Sequence, residues 1–129
     1  MLRAMACCVL AVAALARPAA AADERAALNA LIEQHASANG LPIALVRQVI
    51  RRESNFNPRA VYQGNYGLMQ IRLGTARALG YRGSAEGLLD PQTNMSYGMR
   101  YLAGAYQAAH GNEARTLVLY SSGYYSRAH

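Results

Sequence analysis

Apolar residues in this chain recur at helical spacing, and strong stops divide them into short segments at Asn39-Gly40, Gly80, Gly111 and Ser121-Ser122-Gly123. Glycine and asparagine there end helices, while proline just inside a segment starts one. Leu28, Leu31, Ile32 and His35 share one face of a first helix that stops at Asn39-Gly40. Leu41-Pro42 opens a second helix, with Pro42 in its first turn, and a short third runs from Leu73 to Leu79. Tyr81 to Leu89 reads as a loop with at most one turn. Asp90-Pro91 starts the longest segment, Asp90 as cap and Pro91 at the first helical position, which runs to about Ala109. Its row Asn94, Tyr97, Gly98, Tyr101, Leu102 and Ala105 lies on one face, and Gly98 permits close approach of a neighbouring backbone. Glu113 to Tyr120 forms the last helix. There is no convincing strand-hairpin signal, so the expected fold class is all-α.

The N-terminus limits how much chain is left to fold. Met1-Leu2-Arg3 supplies a positive charge, Ala4 to Ala16 is apolar, and Ala19 to Ala22 offers small residues for cleavage, the pattern of a secretory signal. The apolar run is too short to span a bilayer, so no stable membrane anchor is expected. A cut after Ala22 leaves residues 23–129, 107 of the 129, enough for one small domain with one core. Cys7 and Cys8 both fall in the leader, so the mature chain has no thiol chemistry. Its destination is the periplasm or the exterior. Every basic residue is arginine; without Arg3 and Arg17, eleven of them face seven acidic residues, a formal charge of +4. That balance suits an anionic surface or polymer. Nucleic acid is not expected, since the longest basic run is Arg51-Arg52 and no binding module is recognisable. His35 reads as structural, because no second histidine stands at metal-ligand spacing.

One carboxylate sits oddly. In Ile50-Arg51-Arg52-Glu53-Ser54-Asn55-Phe56-Asn57-Pro58, Glu53 follows Val46, Val49 and Ile50 by seven, four and three residues, so it shares their apolar helical face. Arg51 is turned about 160° away, at roughly 100° per residue, and points to solvent. Asn55, Asn57 and Pro58 place Glu53 at the helix end, where the dipole is negative. Partial burial and the dipole both disfavour the charged form, so the pKa should rise, as a general acid near neutral pH requires. A structural carboxylate bonded to a buried arginine or tyrosine is the other reading of the same spacing.

Four pieces stand in order: Glu53-Ser54 at a helix end, Gly67-Leu68-Met69-Gln70-Ile71 after a polar loop, Asn94 to Leu102 as N-x-x-x-G-x-x-Y-L, and Tyr120 before Ser121-Ser122-Gly123. This set resembles the soluble lytic transglycosylase catalytic domain, a goose-type-lysozyme-like helical fold that cleaves bacterial peptidoglycan, over roughly Ala27 to Gly123. The resemblance implies a small lysozyme-like helical domain with a glycan-binding groove. It implies Glu53 as catalytic acid and base, with Ser54 supporting its surroundings. Gly67, Met69 and Gln70 would form the groove floor: Gly67 for close backbone approach, Met69 packed on the sugar or the acid, Gln70 hydrogen-bonded to glycan. Tyr101 and Tyr120 would line the site, the Tyr120 hydroxyl near Glu53. The family's last motif usually reads A-Y-N-x-G; here Ser121 replaces the amide and offers a single donor.

Ordinary glycosidases use two carboxyl groups, yet none of Asp23, Glu24, Glu33, Glu86, Asp90 and Glu113 has the context of a catalytic partner. The resemblance supplies the missing nucleophile from the substrate. Glu53 would protonate the oxygen between N-acetylmuramic acid and N-acetylglucosamine, the acetamido group would stabilise charge at C1, and the muramic C6 hydroxyl would attack, leaving a 1,6-anhydro end. No metal or cofactor is implied. The expected partner is the peptidoglycan glycan strand, bound by a monomer; a secretion or flagellar assembly machine stays open as a second partner. The competing readings are a hydrolytic muramidase, with Glu86 or Asp90 as second carboxylate, and a non-catalytic wall-binding component of such a machine.

Overall fold

The computed structural model describes residues 18–123. Most of the expected leader, with Cys7 and Cys8, and the tail pair Tyr124-Tyr125 lie outside the described residues. Helix α1 (Pro18–Ala38) continues through the expected cleavage point after Ala22, but buries only Ile32 and Ala36. The chain then reverses at Gly40, whose φ of +63° suits a residue without Cβ, and Asn39 closes the helix by donating from its side chain to His35 O at 2.8 Å.

Helix α2 (Ile43–Ser54) buries Leu45, Val46, Val49 and Ile50 along the face read from the sequence. Pro42 sits one place outside it, in extended conformation, and its carbonyl accepts from Val46 N. Two left-handed residues, Asn55 and Phe56, terminate the helix, with Asn55 N donating to Arg51 O at 3.0 Å. Helices α3 (Leu73–Ala78) and α5 (Glu113–Ser121) follow the expected stops to within a residue, and a single 3-10 turn, Glu86–Leu89, interrupts the loop before α4 (Pro91–Ala108). Asp90 caps α4 as its position predicts: its carboxylate accepts from Thr93 N and Thr93 Oγ1, both at 2.9 Å.

The expectation of no strand hairpin is corrected. Three two-residue strands, β1 (Val61–Tyr62), β2 (Asn65–Tyr66) and β3 (Ile71–Arg72), form an antiparallel sheet in the order β1-β2-β3. Val61 pairs with Tyr66, and Asn65 with Arg72. Strands this short show no alternation, and the turn between β1 and β2 is Gln63-Gly64, not the Asn-Gly that advertises a hairpin. Both turn residues nonetheless have positive φ, 48° and 76°, the requirement of a type I′ connection. The fold remains all-α, with this sheet as a local insert.

The main core is built around α4. Met95, Met99, Tyr101 and Leu102 from it meet Ile32, Val46, Val49, Ile50, Leu68, Met69 and Tyr120. A smaller cluster of Ile71, Ala76 and Leu88, covered by Tyr66, Leu73, Tyr81 and Tyr97, joins β3 and α3 to the other side of the same helix. The cleft lies between these two packing systems.

Candidate active site

Glu53 enters the site because α2 runs one turn beyond its last buried apolar residue, Ile50, and then stops. The carboxyl is half-buried, and that burial pushes its pKa up from the ordinary value, with the neighbouring Arg52 guanidinium drawing it part of the way back. The raised direction matches the expectation, and burial is the larger cause. Glu53 opens into a cleft of about 820 Å³ whose walls include Gln70, Tyr101 and Tyr120. Four residues picked out by sequence therefore meet at one cavity: an acid from α2, a loop amide, and two phenols from α4 and α5.

The remaining picks lie behind the wall. Ser54 Oγ stands 2.7 Å from Leu68 O and 3.1 Å from Ile50 O, so its one proton ties α2 to the 67–70 segment. Gly67 faces inward, away from the role of letting backbone approach a sugar: at φ +73°, a Cβ there would stand 2.7 Å from Leu88 O and run into the Asn94 side chain. Met69 is fully buried, and a Cβ on Gly98 would lie 2.9 Å from its own Cβ. The close approach expected at Gly98 is thus made by Met69.

Gln70 takes a left-handed conformation, φ 50°, between buried Met69 and Ile71. Its side-chain nitrogen donates to Ala60 O and Gly67 O, both at 3.0 Å, so its two N–H bonds are committed to the protein. Only the amide oxygen is left for a ligand, as an acceptor. Tyr101 and Tyr120 pack edge to face, centroids 4.9 Å apart, and the Tyr120 hydroxyl donates to Met69 O at 2.6 Å. That bond fixes the Tyr120 ring on the floor, with the Tyr101 hydroxyl 3.4 Å from Tyr120 O.

The residue that organises this wall is Asn94, which sequence reasoning placed in a motif and left out of the site. It is fully buried. Its Oδ1 accepts from Met69 N at 2.9 Å, and its Nδ2 donates to Tyr66 O at 2.7 Å and Leu88 O at 2.8 Å. One amide thereby satisfies three backbone groups from the 67–70 segment, β2 and the 3-10 turn. The available signal was an amide on an otherwise apolar helical row, which must find buried partners.

The opposite wall consists of the hairpin and the start of α3: Gly64, Asn65, Tyr66, Arg72, Leu73, Gly74 and Thr75. Ser121, Ser122 and Gly123 complete the rim beside Tyr120. Among the described residues lining the cleft, Glu53 is the one carboxylate and Arg72 the one cation. Neither Glu86 nor Asp90 borders it, and the Asp90 carboxylate is committed to its cap.

Comparison with known proteins agrees in sequence and in fold. Residues 30–127 match the family described as "Transglycosylase SLT domain". The "Soluble lytic murein transglycosylase" of Escherichia coli strain K12 is 33% identical over 105 residues, 75% of this chain and 16% of that protein. The "Peptidoglycan transglycosylase gp16" of Escherichia phage T7 is 33% identical over 99 residues, 74% of this chain and 8% of that protein. This chain thus corresponds to a small part of the length of either relative. The crystal structure of the 70-kDa soluble lytic transglycosylase of Escherichia coli superposes with a TM-score of 0.68 at 31% identity, covering 74% of this chain and 16% of that one. With a family match spanning most of its length and a fold that agrees, the chain belongs to the transglycosylase SLT domain family.

Proposed function

We propose that this chain is a peptidoglycan lytic transglycosylase that cleaves the β-1,4 bond between N-acetylmuramic acid and N-acetylglucosamine, with Glu53 as its single acid and base. The observation that carries this reading is a half-buried carboxyl of raised pKa, alone of its kind among the described cleft residues. The named relatives act on murein or peptidoglycan by their descriptions. A raised pKa keeps Glu53 protonated closer to neutrality, so it can donate to the bridging oxygen as that bond breaks. Positive charge developing at C1 is shared with the acetamido oxygen of the same sugar. The muramic C6 hydroxyl then adds to C1, and its proton returns to Glu53, which restores the acid. Atoms balance without water, because the nucleophile belongs to the substrate and the end formed is 1,6-anhydromuramic acid.

Around that chemistry, Tyr101, Tyr120 and the Gln70 amide oxygen supply the glycan-facing floor. Ser54, Gly67 and Met69 act from behind it by holding the 67–70 backbone in place. A substrate outside the inner membrane agrees with residues 1–22 acting as a leader, and among the described residues no helix is long and apolar enough to cross a membrane. Mass spectrometry of sugars released from purified peptidoglycan tests the reaction. Muramic ends lighter by one water than the hydrolytic product are expected, whereas mainly reducing muramic ends would replace this reading with a hydrolytic muramidase. Binding without release of sugars would leave a wall-binding component.

A further inference from the structure

The cleft holds one charge that the chemistry of Glu53 does not use. Arg72 closes β3, its backbone fixed opposite Asn65 in the sheet. Its Nη1 lies over the hairpin turn, where a Cβ added at Gly64 would stand 3.5 Å away, at ordinary van der Waals contact. The side chain is exposed, and no carboxylate among the described residues pairs with it, the one ion pair being Arg47 with Glu33. Arg51, Arg52, Arg59, Arg77 and Arg82 are exposed as well, but none of them lines the cleft, Arg52 acting on Glu53 from outside it. An isolated surface arginine is ordinarily a solvated charge; one whose backbone is held in a paired strand and which lines the same cleft as a half-buried acid is available to whatever enters.

A guanidinium offers five N–H donors in a fork that fits a carboxylate bidentately. The glycan backbone consists of neutral hydroxyls and acetamides, and its ionised groups are carried by the muramic unit. Where the strand is bare, that group is the lactyl carboxylate. Where it is substituted, the lactyl group is an amide and the carboxylates belong to the stem peptide. An anionic ligand is also repelled by ionised Glu53; among the cleft-lining residues Arg72 is the cation that offsets this, while Arg52 acts on Glu53 from outside the lining. Resting on the reading of the substrate as peptidoglycan, we propose that Arg72 is a specificity residue that binds a carboxylate of the muramic unit.

The test is a binding titration of the full chain carrying Glu53→Gln, so that ligand is not consumed, at fixed ionic strength. Three ligands of equal length serve as probes: bare N-acetylglucosamine–N-acetylmuramic acid strands, the same strands bearing stem peptides, and chito-oligosaccharide, which has no carboxylate. Adding Arg72→Met should weaken a carboxylate-bearing ligand by about tenfold, the scale of one charge-assisted hydrogen bond. Chito-oligosaccharide should change by less than about twofold, and Arg72→Lys should recover part of the loss. Arg77→Gln, an exposed charge change on α3 outside the cleft, controls for net charge. Loss on bare strands assigns the lactyl carboxylate, and loss confined to peptide-bearing strands assigns the stem. Equal loss on all three ligands, no loss on any, or no binding of any ligand by the Glu53→Gln parent overturns the proposal. Digestion by the unsubstituted chain, run in parallel, judges the transglycosylase reading separately, because the titration does not depend on cleavage.

Discussion

The two walls of the cleft are built on different physical terms. The wall carrying Tyr101 and Tyr120 rests on residues with almost no exposure, among them Leu68, Met69, Met99 and Leu102, and it is wired from behind by the Asn94 amide and by the Tyr120 hydroxyl on Met69 O. The hairpin wall rests on two-residue strands, with Val61 and Tyr62 exposed by 54% and 67%, and it is tied to the buried side through Tyr66 O on the Asn94 amide and through buried Ile71. Burial and internal hydrogen bonds raise the free energy of local opening, and exposed short strands lie at the low end of that range. On the proposed function this difference divides the labour: the buried wall would hold the reacting groups in register, and the exposed wall would change side chains without unsettling them. Arg72 stands on the second wall, where the specificity role proposed for it would cost the fold least.

The largest expected effect lies on the buried side. Glu53→Gln should leave the fold intact and lower wall cleavage by a factor of about 10²–10⁴, the usual contribution of a positioned acid-base group. Near-normal turnover by a variant folded by circular dichroism would remove Glu53 from the reaction. In the unsubstituted chain, activity should fall as pH rises through the raised pKa, because the proton needed at the leaving oxygen has gone. Stability follows the same sign. Folding disfavours the ionised form, so the penalty is fully present above the folded pKa and disappears as pH falls below the unfolded one. Glu53→Gln should therefore raise the melting temperature relative to the parent at pH 8 and not at pH 4. Equal shifts at both pH values would trace the gain to something other than ionisation.

Next come changes that loosen the wiring. Asn94→Leu keeps the branching at Cγ, with a somewhat larger side chain, but leaves Met69 N–H, Tyr66 O and Leu88 O without their partner, and at about 1–3 kcal/mol for each group the expected loss is about 3–9 kcal/mol in urea unfolding. That is a large share of the stability of a small domain. A loss under about 1 kcal/mol would show that the wall is held by apolar packing alone. Gly98→Ala is gentler. Its Cβ collides with Met69, an overpacking cost of about 1–3 kcal/mol that the better helix propensity of alanine, about 1 kcal/mol, offsets in part. A net gain in stability would mean that Met69 moves aside freely and that the buried wall is less rigid than its burial indicates.

The same contrast explains what could be read from the sequence. Helix α4 was legible because Asp90 and Pro91 mark its start and its buried row, Asn94 to Ala105, repeats at helical spacing for about three turns. Glu53 was legible because three apolar residues on α2 fix its direction. Gln70, Tyr101 and Tyr120 came from the order of motifs, and the structure gathers them at one cleft. The hairpin was hidden because a strand of two residues has no period, and its Gln63-Gly64 turn depends on a glutamine accepting positive φ. Asn94 was half visible: its helical face could be read, but its partners are 6 to 28 residues away in sequence, and no spacing rule reaches them. Gly67 and Met69 were placed in the right segment but on the wrong side of it, since alternation along a tight turn is not that of a strand.

The smallest expected effect is on the exposed wall. Val61→Thr with Tyr62→Ser removes two large apolar side chains while leaving the backbone ladder, in which Val61 pairs with Tyr66 and Tyr62 with Asn65. The Asn65 side chain also donates to Tyr62 O at 3.0 Å, a bond that any residue at that position preserves. Both side chains are mostly hydrated already, so little apolar area returns to water, and neither lines the cleft. Stability should change by about 0.5 kcal/mol or less, the ordinary range for surface substitutions, and cleavage by less than about twofold. A loss above about 1 kcal/mol would mean that the hairpin is anchored through these side chains and that the two walls are alike in kind. Intact stability with a tenfold loss of cleavage would instead make the hairpin tip part of the glycan track, extending the binding surface beyond the Arg72 position and leaving the buried wall as the structural half.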